Sequence, residues 1–128
     1  MSHLFQNIDH SDYIYCTNID GKIDIANVIE AFKVAISACR KSRVRKVLWD
    51  YRKHNLYPAA TERILIIEEL SMLHDLHKQN GGENLKFAFL ARKGLLPDYQ
   101  PGLEVAEQNR LEIINTDSEA EVLQWLAD

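Results

Sequence analysis

The segment from Asn18 to Phe32, followed by Lys46-Val-Leu-Trp-Asp-Tyr51, changes its apolar period in a fixed order. Tyr13 to Ile19 alternates polar and apolar residues and is rich in β-formers, the pattern of a strand. Asp20-Gly21 then signals a turn, because glycine accepts positive φ. A hairpin is one option there, and a strand-to-helix connection is the other. The next residues favour the helix: Asp24 can cap it, and Ile25, Val28, Ile29, Phe32, Ala35, Ile36 and Cys39 recur at helical spacing. Val44 to Tyr51 reads as a buried strand ending on a carboxylate. A chain that opens in this way is committed to an α/β arrangement.

The rest of the sequence repeats the alternation. A loop over 52–60 leads to a second helix from about Thr61 to Lys78, which Asn80-Gly81-Gly82 stops. Leu85 to Ala91 reads as a third core strand. Pro101 suits the first turn of a helix reaching about Asn109, Leu111 to Ile114 is a further strand, and Thr116-x-x-Glu119 matches a capping box opening the last helix. With a short edge strand at Leu4 to Ile8, the order is one strand followed by four β-α units. This pattern predicts a mostly parallel or mixed sheet of four to five strands with about four helices. At 128 residues, with neither linker nor internal repeat, the chain reads as one domain over 1–128.

Charge and cysteine usage narrow the class. A net charge of −4 disfavours nucleic acid as the main partner, since phosphate backbones select basic surfaces. No apolar run approaches the roughly 18 residues of a membrane span. The N-terminus lacks a basic start and an apolar signal core, so a cytoplasmic location is expected. Cys16 and Cys39 lie in apolar periodic segments and are expected to be buried free thiols.

Three segments resemble the STAS domain, the fold of bacterial anti-sigma factor antagonists, and within it the SpoIIAA-like, STAS/SEC14-type branch. Ile19-Asp-Gly-Lys-Ile-Asp-Ile25 is similar to the family's strand-Gly-acid-helix opening, and Val47-Leu-Trp-Asp-Tyr51 to its central strand ending in aspartate. Ile113 to Leu126 is similar to its closing strand, acidic cap and Ala-x-x-Trp-Leu helix. The resemblance implies a regulatory, protein-binding, non-enzymatic module; separately, the surplus apolar width of the Ile64 to Leu76 helix predicts a homodimer. It also implies a departure. The antagonists carry a phosphoacceptor serine at the start of the second helix, whereas this chain has Tyr57-Pro-Ala-Ala-Thr-Glu62 there. Thr61 is the nearest hydroxyl, and an N-cap role accounts for it.

The residues themselves propose a binding site at Asp50, Tyr51, Arg52, His54, Tyr57 and Thr61, because open α/β sheets gather ligands at strand C-termini. A hydrolase or transferase around Asp50 and His54 is the chemical alternative, but neither a nucleophile elbow nor a phosphate-binding glycine loop accompanies them. The SEC14-type association raises a carrier of a small apolar ligand or lipid. No cofactor or metal is expected: His74 and His77 are three apart on one helix, without an evident third ligand, and read as solvent-facing polarity. Arg40 to Lys46 holds five of the fifteen basic residues; such a run admits nucleic acid, anionic lipid or phosphopeptide as a partner, and offsetting the negative end of a helix dipole is the simpler reading. The second helix is apolar around Ile64 to Ile67, so part of it is either buried or an interface with a second copy.

Overall fold

The computed structural model describes residues 8–9, 13–17, 25–52, 60–92 and 100–127. Five strands and four helices follow in the order β1 (Ile8–Asp9), β2 (Ile14–Thr17), α1 (Ile25–Ser42), β3 (Lys46–Asp50), α2 (Ala60–Gln79), β4 (Lys86–Leu90), α3 (Gln100–Gln108), β5 (Glu112–Thr116) and α4 (Glu119–Ala127). The α/β class read from the sequence is the observed one. The sheet keeps sequence order, β1-β2-β3-β4-β5, with β1 antiparallel to β2 and the other pairs parallel. Because β2 and β3 are parallel with α1 between them, the hairpin reading of Asp20-Gly21 is excluded. Those two residues and Asp24 lie outside the described part.

Strand order that steps one way through right-handed crossovers places every crossover helix on the same face of the sheet. The core follows that rule. Ile14, Val47, Phe87 and Ile113 are in register across β2 to β5, with Cys16, Trp49 and Phe89 one layer further along. These side chains meet Val28, Phe32, Ala35, Cys39, Ile66, Leu70 and Ala106 from α1, α2 and α3 in the larger of two clusters. Phe32 is fully buried and meets Trp49 edge-on at 4.9 Å. The intervening row, Tyr15, Leu48, Ala88 and Ile114, faces the other way and packs with Val122, Trp125 and Leu126 of α4. The central strands β3 and β4 are thus buried on both faces, as their apolar runs require, while β5 at the edge is mostly half-buried.

The crossover helices end alike. Just past α1, α2 and α3 a backbone amide two or three residues beyond the helix bonds the carbonyl five residues back: Val44 to Cys39, Gly82 to His77 and Leu111 to Ala106, at 2.9 to 3.0 Å. The residue before each is left-handed: Arg43 (φ 57°), Gly81 (φ 89°) and Arg110 (φ 59°). These are Schellman ends. Only one of the three uses the glycine that such a position favours.

Two expectations about caps are corrected. Thr116 belongs to β5, and the N-cap of α4 is Ser118, whose Oγ accepts the Glu121 amide at 3.2 Å. Thr116 Oγ1 instead accepts the Ser118 amide and donates to the Glu121 carboxylate, both at 3.1 Å. Of the overlapping Ser118-x-x-Glu121 match only the serine half forms, and Thr116 Oγ1 bridges the Ser118 amide and the Glu121 carboxylate in place of the direct return bond. Thr61 is not an N-cap either: α2 starts at Ala60, and Thr61 is exposed in its first turn.

The apolar surplus of α2 resolves residue by residue. Ile66 is buried and Ile67 packs against the core, while Leu65, Met72 and Leu76 are exposed. His74 and His77 are not solvent-facing: they are 0% and 6% exposed. Ile66, Leu70, His74 and His77 recur at helical spacing, so the histidines share the buried stripe. His74 Nε2 accepts the Leu85 amide at 2.9 Å, and its ring meets Phe87 edge-on. No group of three or more His, Cys, Asp or Glu side chains among the described residues could hold a metal. No helix among them is long and apolar enough to cross a membrane.

Candidate functional site

The last row of the α4 face is polar but for Leu90. Thr17, Asp50, Leu90 and Thr116 stand in register at the C-terminal ends of β2 to β5. Asp50 is 4% exposed, and a carboxylate there is costly unless its oxygens are bonded. They are. Oδ1 accepts the Arg52 amide and Arg52 Nε, both at 3.0 Å. Oδ2 accepts Arg52 Nη2 at 2.8 Å and the Tyr15 hydroxyl at 2.5 Å. The guanidinium meets the carboxylate as a two-pronged fork, the strongest geometry for this pair. Its third nitrogen, Nη1, donates to Glu119 Oε2 at 3.1 Å, at the first residue of α4. Arg92 Nε donates to the Arg52 carbonyl at 3.1 Å, and Thr17 Oγ1 to the Asp50 carbonyl at 3.4 Å.

The electrostatics follow from this wiring. Burial alone would raise the Asp50 pKa, but the hydrogen bonds from Arg52 and Tyr15 outweigh it and hold the carboxyl below its usual value. The bond to Asp50 drives the Arg52 pKa upward. Burial, reinforced by the bond to Asp50, pushes the Tyr15 phenol up to about 12. At neutral pH the group is therefore carboxylate, guanidinium and neutral phenol. An acid/base catalyst needs a pKa near the working pH and a lone pair or proton to spare. Asp50 and Tyr15 offer neither.

The six residues singled out by sequence divide. Asp50 and Arg52 are joined on the α4 face. Tyr51 points to the opposite face, stacked at 5° on Phe89 with centroids 5.9 Å apart, and belongs to the larger core. Thr61 is exposed at the start of α2, and His54 and Tyr57 lie outside the described residues. Sequence reasoning missed Tyr15 and Glu119. Strand alternation contained a signal for Tyr15, since it shares a sheet face with Asp50. Nothing local marks Glu119, which comes from 67 residues away.

The basic run Arg40 to Lys46 also divides. Lys46 donates to the Leu126 carbonyl, and Lys86 to the Trp125 carbonyl at 3.5 Å with its ammonium 4.4 Å above the Trp125 ring. α4 has no basic residue in its last turn, so cations from β3 and β4 offset its negative end. Arg40 donates to the His77 carbonyl at 3.2 Å, and Arg45 makes an exposed ion pair with Glu83.

This arrangement defines a one-directional α/β domain with a saturated Tyr-Asp-Arg-Glu network at the strand C-termini. No protein-family model, curated protein or solved structure matches the chain at a significant level.

Proposed function

We propose that this chain is a regulatory or protein-interaction module of STAS-like architecture, without enzymatic activity. It binds a protein partner at the C-terminal end of the sheet, where Asp50 and Arg52 lie. The observation behind this reading is the saturation of Asp50: four donors from Arg52 and Tyr15 occupy both oxygens. Such a carboxylate organises a surface better than it moves a proton, because a bound, depressed-pKa group exchanges poorly with a substrate. The same network fixes Arg52, whose side chain is 41% exposed, and through Glu119 the start of α4. Thr61 is exposed in the first turn of α2, the helix that comes next in sequence after this strand end. With no serine between Tyr57 and Glu62, binding is expected to be constitutive. A carrier of an apolar ligand has less support: Phe32, Leu70, Leu85, Phe87 and Leu90, which could border such a cavity, are packed against one another or against α4.

The test is a partner pull-down with wild type, Arg52→Ala, Tyr57→Ala and Thr61→Glu, each first shown to be folded. Loss of the same partner from at least two variants supports the reading. Retention of every partner by all three overturns it.

A further inference from the structure

The opposite end of the sheet carries a second concave feature, independent of the reading above. The C-terminal turns of α1 and α2 and the segments leading into β3 and β4, at Val44 and Leu85, enclose a cleft of about 410 Å³, within the size range of small-molecule sites. Arg40, Arg43 and Arg45 form one wall, and His77, Asn80, Gly81 and Gly82 the other. In a chain of net charge −4, three arginines share this cleft with a single carboxylate, Glu83.

Offsetting helix dipoles accounts for only part of this. The α1 end is already closed by the Val44 amide on the Cys39 carbonyl. Arg40 reaches across to α2, at the His77 carbonyl and 3.4 Å from His77 Nδ1. Arg45 lies beyond α1, and its pair with Glu83 is exposed on both sides, so exchanging it for another anion costs little. Arg43 is exposed and makes no hydrogen bond or ion pair among the described residues. Within the α2 wall, Gly82 lies directly against the His77 ring: a Cβ there would stand 2.2 Å from it.

We propose that this cleft binds a compact phosphorylated anion, a phosphate monoester or free phosphate, held by Arg40, Arg43 and Arg45. Guanidinium forks suit phosphate oxygens, and the Asn80 side chain adds a neutral donor. The backbone supplies an unusual control. Arg43 is left-handed, where glycine is favoured, so Arg43→Gly removes the guanidinium while relieving the backbone. Arg110→Gly gives the same relief at the end of α3 without touching the cleft.

The experiment is an amide and imidazole chemical-shift titration at constant ionic strength, with inorganic phosphate in one arm and phenyl phosphate in the other. Saturable shifts at Asn80, Gly81, Gly82 and His77 are expected in at least one arm. The tighter arm identifies the source, monoester or free anion. Arg43→Gly should bind about tenfold more weakly while melting no lower than wild type. Arg45→Gln should weaken binding in the same direction, and Arg110→Gly should bind as wild type does. Shifts that do not saturate by about 10 mM in either arm, or unchanged affinity in Arg43→Gly, would overturn the proposal.

Discussion

His74 carries the sharpest conflict between burial and polarity. It is fully buried, accepts the Leu85 amide through Nε2, and leaves Nδ1 without a partner among the described residues. Burial, helped by Lys78 and His77, lowers its pKa from 6.5 to about 4. The unfolded chain therefore takes up a proton near pH 6.5 and the folded protein only near pH 4. Stability should be full above pH 6.5 and decline as pH falls from 6.5 toward 4. His77, lowered by burial and Arg40, acts in the same direction. His74→Gln, which keeps an acceptor for Leu85 but does not titrate, should flatten this slope in urea midpoints measured across that window. An unchanged slope would assign the effect elsewhere. Asp50 makes the second residue-scale prediction. Asp50→Ala leaves the Arg52 fork and the Tyr15 hydroxyl without their acceptor, and should lower stability by about 2–3 kcal/mol in urea unfolding. Sequence made Asp50 conspicuous because it ends an apolar run. It made the histidines look like surface because polar residues usually are, although their spacing from Ile66 and Leu70 already placed them inside.

At the scale of the element, α4 is held by residues that belong to other elements. Arg52 meets its first residue, and Lys46 and Lys86 meet its last carbonyls. Replacing both lysines by methionine should raise amide exchange in α4 by about fivefold while sparing α1, since the helix-end contribution is roughly 1 kcal/mol. Equal acceleration in both helices would contradict this clamp. Ser118→Ala should cost about 1 kcal/mol in urea midpoints as an N-cap loss. Arg110→Gly should raise stability by about 0.5–1 kcal/mol, the left-handed penalty less the entropy that glycine adds to the unfolded chain. The edge strand expected over Leu4 to Ile8 meets β1 only at Ile8, residues 4–7 lying outside the described part, whereas the four helices and the strands β2 to β5 were readable because their periods run long enough. Their ends were less so. Thr116 and Ser118 offer two overlapping capping boxes, and only the pairing of Thr116 with Leu90 in the sheet chooses between them. Lys46 and Lys86 were unreadable as helix anchors, because their acceptors lie 80 and 39 residues away.

For the whole molecule, one-directional winding gives the sheet two unequal faces, with three helices on one and α4 on the other. The two should fail differently. Phe32→Ala empties the centre of the larger core and should cost about 3–5 kcal/mol in global stability. Val122→Ala thins the smaller core and should release α4 in native-state hydrogen exchange before the rest opens. A global loss from Val122→Ala equal to that from Phe32→Ala would show the faces to be one cooperative unit. Sequence alternation told which strand residues share a face, but not which face receives α4, because that depends on where the chain goes after β5. The two thiols lie in the larger core. Burial drives both upward in pKa, Cys39 to about 12, so almost no thiolate exists at neutral pH. An alkylating reagent in the surrounding solution therefore keeps time for the protein: each labelled sulfur records one occasion on which the three-helix face came away from the sheet.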